Sequence, residues 1–124
     1  MENHRDPAWI SIVEDDQAVR NALGNLLESV GLQVEGFSSA EDFVAYNVSN
    51  KSSCLILDVR LPGMSGMELQ RRLSGDGNPI PIIFITGHTD EALRKRALQD
   101  GALAFFLKPF SAQALLETIS STLK

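Results

Sequence analysis

Several things are scarce in this sequence, and each scarcity excludes a class of protein. One cysteine, Cys54, stands among 124 residues, so no internal disulfide can staple the fold. No apolar run approaches the roughly 20 residues that span a bilayer. The opening "MENHRDPAW" is polar and lacks the apolar core of a signal peptide. Together these absences lead us to expect a cytoplasmic, non-membrane protein. Positive charge is also short: eleven bases against sixteen acids leave a net charge of −5. A domain of that balance is not expected to grip nucleic acid by itself, because phosphate binding needs a basic face. Repeats, linkers and low-complexity tracts are missing too.

What is present suits one compact domain. The length fits a single core. Hydrophobic residues at 44% and charged residues at 22% are ordinary for a globular fold. Short apolar runs alternate with segments of helical period. The strand runs are "AWISIV" (8–13), "LQVEGF" (32–37), "SCLIL" (53–57), "IPIIFIT" (80–86) and "ALAFFL" (102–107). Between the first two, Val19, Leu23, Leu26, Leu27 and Val30 mark one face of a helix over 17–30, ended by Gly31. Ser38 and Glu41 stand at capping-box spacing before a second helix. "GMELQRRL" (66–73) reads as a third, closed by Gly75, Gly77 and Pro79. Thr89, Asp90 and Glu91 open a fourth, and Ser111 caps a fifth bearing Leu115, Leu116, Ile119 and Leu123. Trp9 is expected to cover the start of the first strand, and Cys54, Met64 and Met67 to act as packing residues.

A strand followed by a helix, five times over, implies a parallel sheet covered on both faces. In such open sheets ligands sit outside the carboxyl ends of the strands. That rule selects Glu14-Asp15-Asp16, Asp58, Thr86-Gly87-His88 and Lys108-Pro109. The second strand ends in Phe37-Ser38 and fits an edge. Crowded carboxylates repel one another, and a hard cation such as Mg²⁺ (or Mn²⁺) relieves them. Carboxylates, a metal, a lysine and a hydroxyl together suit a phosphoryl group. An Asp can itself be the nucleophile, forming an aspartyl-phosphate.

The ordered set "IVEDD … LILDVRLPGMSGMEL … IIFITGH … AFFLKPF" resembles the receiver domain of two-component response regulators. The likeness runs from Trp9 to about Leu123. Among receivers it is most similar to those of regulators with a LuxR-type helix-turn-helix effector. The resemblance implies a flavodoxin-like (βα)5 α/β fold with strand order 2-1-3-4-5. It implies one receiver over 1–124, core 8–123, with any effector domain beyond Lys124. It makes the chain a phosphoacceptor switch in a phosphorelay rather than an enzyme, supplied by a sensor histidine kinase and controlling transcription through a DNA-binding effector; a receiver acting alone through protein contacts is the alternative. Asp58 is then the phosphoacceptor, Thr86 the switch hydroxyl, Lys108 the phosphate-contacting lysine and Phe105 the switch aromatic. In the family the metal-binding acid lies five residues before a basic residue of the first helix. Arg20 therefore selects Asp15 as direct ligand, with Glu14 reaching the metal through water and Arg60 offering its backbone carbonyl. Arg60 and His88 are candidates for tuning phosphoryl lifetime. Lys108-Pro109 is expected to be cis. Phosphorylation is expected to favour a homodimer through the fourth helix, fifth strand and fifth helix.

Plainer readings exist for each residue. Asp58 alone could cap its loop, Thr86 could be a strand-end β-branched residue, Phe105 core filler and His88 a solvated loop residue. Two other functions compete with this reading. A haloacid-dehalogenase-type phosphatase needs a second Asp two residues after its nucleophile, and Arg60 stands there, unable to shuttle a proton at neutral pH. A nucleotide-binding module needs a Gly-rich loop after the first strand, where this chain has three acids.

Overall fold

The computed structural model describes residues 8–46, 52–77, 80–87 and 90–123. Strands and helices alternate along them: β1 (Trp9–Val13), α1 (Gln17–Glu28), β2 (Gln33–Phe37), α2 (Ala40–Tyr46), β3 (Cys54–Asp58), α3 (Gly66–Gly75), β4 (Ile82–Thr86), α4 (Glu91–Gln99), β5 (Ala104–Leu107) and α5 (Ala112–Thr122). All strand pairings are parallel, in the order β2-β1-β3-β4-β5. The expected topology is the one observed, with β2 at an edge.

The strands are apolar on both faces because each face packs under helices. Leu55, Leu57 and Phe84 join Phe43, Leu69, Leu73 and Ala97 in a core beneath α2, α3 and α4. Ile10, Ile12, Cys54, Ile56, Ile83 and Ile85 join Leu23, Leu27, Leu115 and Ile119 in a second core beneath α1 and α5. Alternate side chains of one strand thus feed opposite layers. Each fully buried aliphatic or aromatic side chain contributes roughly 1.5–3 kcal/mol of burial, so the two layers together hold the strand ends in place. Cys54 lies fully inside, and burial pushes its thiol up to about 12. It behaves as a small hydrophobe, as expected. Among the described residues no helix is long and apolar enough to cross a membrane.

Some local expectations need correction. Helix α1 stops at Glu28, and Val30 is 54% exposed rather than part of its buried face. Gly31, at φ +90°, takes the left-handed turn that follows. At α2 the cap is Ser39, whose hydroxyl accepts from the Asp42 amide (3.0 Å), and not Ser38. Glu41, the expected partner in that cap, is committed elsewhere: its carboxylate accepts the amide of Met64, 23 residues on (2.7 Å). A true capping box forms instead at α3, between Ser65 and Glu68. At α4 the cap is Asp90, which accepts from the Leu93 amide (3.1 Å). The expected opening residue Thr89 lies outside the described residues.

Candidate functional site

Backbone pairing extends past the strands and aims the polar residues that follow them. The Glu14 amide donates to the Phe37 carbonyl (3.0 Å), carrying the β1–β2 ladder one residue further. Its side chain is thereby turned into the protein and is fully buried. Asp15 and Asp16 are exposed. Asp16 caps α1, accepting from the amides of Ala18 (2.9 Å) and Val19 (3.3 Å). Arg20, one turn into α1, donates to the Glu14 carbonyl (2.7 Å), and its stem lies over Gly36 of β2. The turn between β1 and α1 is held from both sides.

Asp58 ends the central strand and is 5% exposed. Its Oδ1 accepts the Arg60 amide (3.0 Å), so the carboxylate does cap its own loop. Its Oδ2 faces Lys108. Gly66 stands directly behind: a Cβ there would run into the Asp58 carbonyl and the Val59 backbone. The Gly66 amide donates to the Val59 carbonyl (3.1 Å). Helix α3 can start this close to the end of β3 only without a side chain at that position. Further along the loop, Gly63 adopts φ +75° beside the Glu41 carboxylate. These supports were missed from the sequence. The glycines were visible in "LPGMSG", but what they pack against lies elsewhere in the chain.

Lys108 closes the site. Its amide donates to the Thr86 carbonyl (2.7 Å), continuing the β4–β5 ladder. The Lys108–Pro109 bond is cis, as expected. The ammonium lies 2.8 Å from Glu14 Oε1 and 3.4 Å from Asp58 Oδ2. One cation therefore bridges two buried carboxylates that are 94 and 50 residues away in sequence. Burial raises the Glu14 pKa; hydrogen bonds from Lys108 and the Asp16 amide oppose the rise, and the neighbouring Asp58 adds to it. For Lys108, burial pulls the pKa down, but the hydrogen bond to Glu14 and the charges of Asp58 and Glu14 outweigh it, leaving it above 10.5. Removal of Lys108 is the costly way to break this arrangement, because it leaves the two buried carboxylates facing one another without a counter-charge.

Carboxylate oxygens of Glu14, Asp15 and Asp58 lie within 4.8 Å of one another. Three hard oxygen donors at that spacing, with a Glu14 pKa raised by burial and by its acidic neighbour, fit a small divalent cation. Thr86 is 2% exposed at the end of β4 and pairs in register with Leu107. Phe105 pairs with Phe84, their ring centroids 6.1 Å apart, and packs half-buried against the α2–α3–α4 core. Phe106 packs into the other core. The two adjacent aromatics thus serve opposite layers, and Phe105 precedes Lys108 by three residues. His88 lies outside the described residues.

The family profile for the response regulator receiver domain matches residues 10–120. The chain is 50% identical over 117 residues to the response regulator protein TodT of Pseudomonas putida, covering 93% of this chain and 51% of that protein. It is 46% identical to nodulation protein W of Bradyrhizobium diazoefficiens, covering 90% of this chain and 49% of that one. The chain thus spans about half the length of the curated relatives it matches. Among solved structures, the response regulator StyR superposes with a TM-score of 0.88 at 44% identity, over 95% of this chain and 60% of that one. FixJ-N superposes with a TM-score of 0.83 at 35% identity, over 95% and 94%. The chain belongs to the response regulator receiver domains, signalling switches of two-component systems.

Proposed function

We propose that this domain accepts a phosphoryl group from a sensor histidine kinase onto Asp58 and relays the event to an output surface. The observation that carries the reading is the Lys108 ammonium held between Glu14 and Asp58 within a cluster of three carboxylates. A carboxylate oxygen of Asp58 attacks phosphorus. The phosphorus–nitrogen bond to the kinase histidine breaks, and its electron pair leaves on the imidazole, which takes a proton from solvent. Oδ1 stays anchored on the Arg60 amide, which keeps the nucleophile in one orientation. Lys108 already stands beside Oδ2 and is charged at neutral pH, so it offsets charge on the incoming phosphoryl oxygens. Thr86 supplies the hydroxyl at the neighbouring strand end.

Glu14, Asp15, Asp58 and the Arg60 carbonyl are the groups we assign to Mg²⁺ or Mn²⁺, with Glu14 acting through water. Bound there, the cation neutralises developing charge on the phosphoryl oxygens. Arg60, two residues past the acceptor, and His88, two residues past Thr86, are assigned to tuning phosphoryl lifetime.

A phosphoryl group adds roughly −1.5 to −2 charge. Movement of Thr86 toward it would free space into which Phe105 turns, biasing a two-state equilibrium at α4, β5 and α5. We assign phosphorylation-dependent homodimerisation to that face. Relatives that include transcriptional regulatory proteins, about twice this chain's length, support an output in transcription through a DNA-binding domain beyond Lys124.

The test is incubation with acetyl phosphate and Mg²⁺, read by intact-protein mass. The expected result is a gain of one phosphoryl group that is lost with a chelator and lost in Asp58→Asn. A gain that persists in Asp58→Asn removes Asp58 as the acceptor.

A further inference from the structure

The chain is net negative by five charges, yet one cleft is lined with positive ones. It lies between the β3–α3 loop, α3 and α4, as an open groove of about 590 Å³. Its apolar lining includes Leu61, Met67 and Leu93. All three are continuous with the core beneath α2, α3 and α4. Arg60, Arg71 and Arg96 line its rim. They come from three separate elements, and all are exposed.

None of the three guanidiniums is in an ion pair among the described residues. The ion pairs there are Arg94 with Glu91, and Lys108 with Glu14 and Asp58. Glu68 of α3 feels Arg71 only through space; its carboxylate is committed to the Ser65 amide (2.9 Å). Three like charges lining one concave apolar cleft repel each other, and among the described residues none is neutralised by an ion pair. Guanidiniums are weakly hydrated and pair with carboxylates in a fixed fork geometry, and arginine and methionine are enriched where proteins meet. The cleft has an apolar floor and a basic rim, the complement of an acidic amphipathic segment.

We infer that this cleft docks a protein segment of mixed acidic and apolar residues. Its apolar side chains would rest on Leu61, Met67 and Leu93, and its carboxylates would pair with Arg60, Arg71 and Arg96. A nucleic acid fits less well, because a long polyanion would run out over a net negative surface. Val59 and Arg60 line the cleft and directly follow Asp58, so an occupant bears on the loop whose amide holds Oδ1. The docking itself needs no phosphoryl chemistry and stands or falls apart from the reading of Asp58.

The probe is a synthetic helical peptide with Leu at i, i+3, i+4 and i+7 and Glu on the flanking positions. It is titrated into the isotope-labelled chain and followed by NMR. Shifts are expected to concentrate at Leu61, Met67, Leu93 and their neighbours. The double variant Arg71→Glu, Arg96→Glu, at exposed positions that leave the core untouched, is expected to weaken binding by about tenfold or more, from two reversed rim pairs. The neutral pair Arg71→Gln, Arg96→Gln should fall between. The proposal is overturned by shifts confined to another face or by undiminished affinity in the charge-reversed variant. Equal binding of a peptide with Lys for Glu, or of a single-stranded oligonucleotide, overturns it as well.

Discussion

β3 and β5 deliver residues to the same edge of one sheet, but only β3 is walled in. Every residue of β3 is buried, and Leu55, Ile56 and Leu57 are inaccessible. β5 has no buried residue: Ala104, Phe105 and Phe106 are half-buried, and Leu107 is 44% exposed. Position explains the contrast. β3 has a neighbour on each side and helices on both faces, whereas β5 is an edge strand. The helix nearest it, α4, buries only Ala97, while α3 buries five residues. The strand that carries Asp58 is therefore rigid, and the strand that carries Phe105 has room to repack. Lys108 belongs to both regimes. It follows the looser strand, yet its backbone is tied to Thr86 and its ammonium to the two buried acids.

The largest effect that sharpens this comparison is Leu55→Ala, which should cost about 2–5 kcal/mol of stability in urea unfolding, from a fully enclosed site. Gly66→Ala should follow, at about 1–3 kcal/mol, because the added methyl meets strand backbone rather than a movable side chain. It should also slow acetyl-phosphate labelling of Asp58, since the collision falls on that residue's own carbonyl. Glu14→Gln probes the walled edge electrically. A carboxyl whose pKa is raised by burial is best tolerated protonated, so its contribution to stability is present below about 4.5 and is lost as pH rises through the raised value. The melting temperature of Glu14→Gln minus that of the parent, without metal, should therefore grow from pH 4.5 toward neutrality, and the stabilisation given by Mg²⁺ should shrink. A difference that stays flat with pH would mean the Lys108 pairing already compensates burial in full. The smallest effect is expected at Leu107→Ala, within about 0.5 kcal/mol. A loss there comparable to that of Leu55→Ala would erase the distinction between the two strands.

Much of the site was legible because the topology rule is strong. Once five strand–helix units are read, the residues after each strand must share an edge, and Glu14, Asp58 and Lys108 do so. Less legible were contacts that join distant segments. The spacing of Ser38 and Glu41 suggested a helix cap, but spacing carries no information about competition. Glu41 finds a free backbone amide at Met64, and Ser39, one residue later, caps in place of Ser38. Val30 continued the apolar period of α1, yet the chain turns at Gly31, and the period runs on past the helix it marked. The arginine-rimmed cleft could not be seen at all, since nothing in the sequence links Arg60 to Arg71 and Arg96 until two helices and a loop bring them together.

The sequence by itself determined the alternation of strands and helices, the parallel sheet and the edge at which acids, hydroxyl and lysine collect. Local hydrophobic period and residue type suffice for these. Tertiary structure alone decided which oxygen pairs with which cation, that Glu14 is buried while Asp15 is open, and that β3 is closed while β5 is not. Those outcomes depend on distances between residues up to 94 positions apart and on how many neighbours each strand acquires, and no local pattern encodes either.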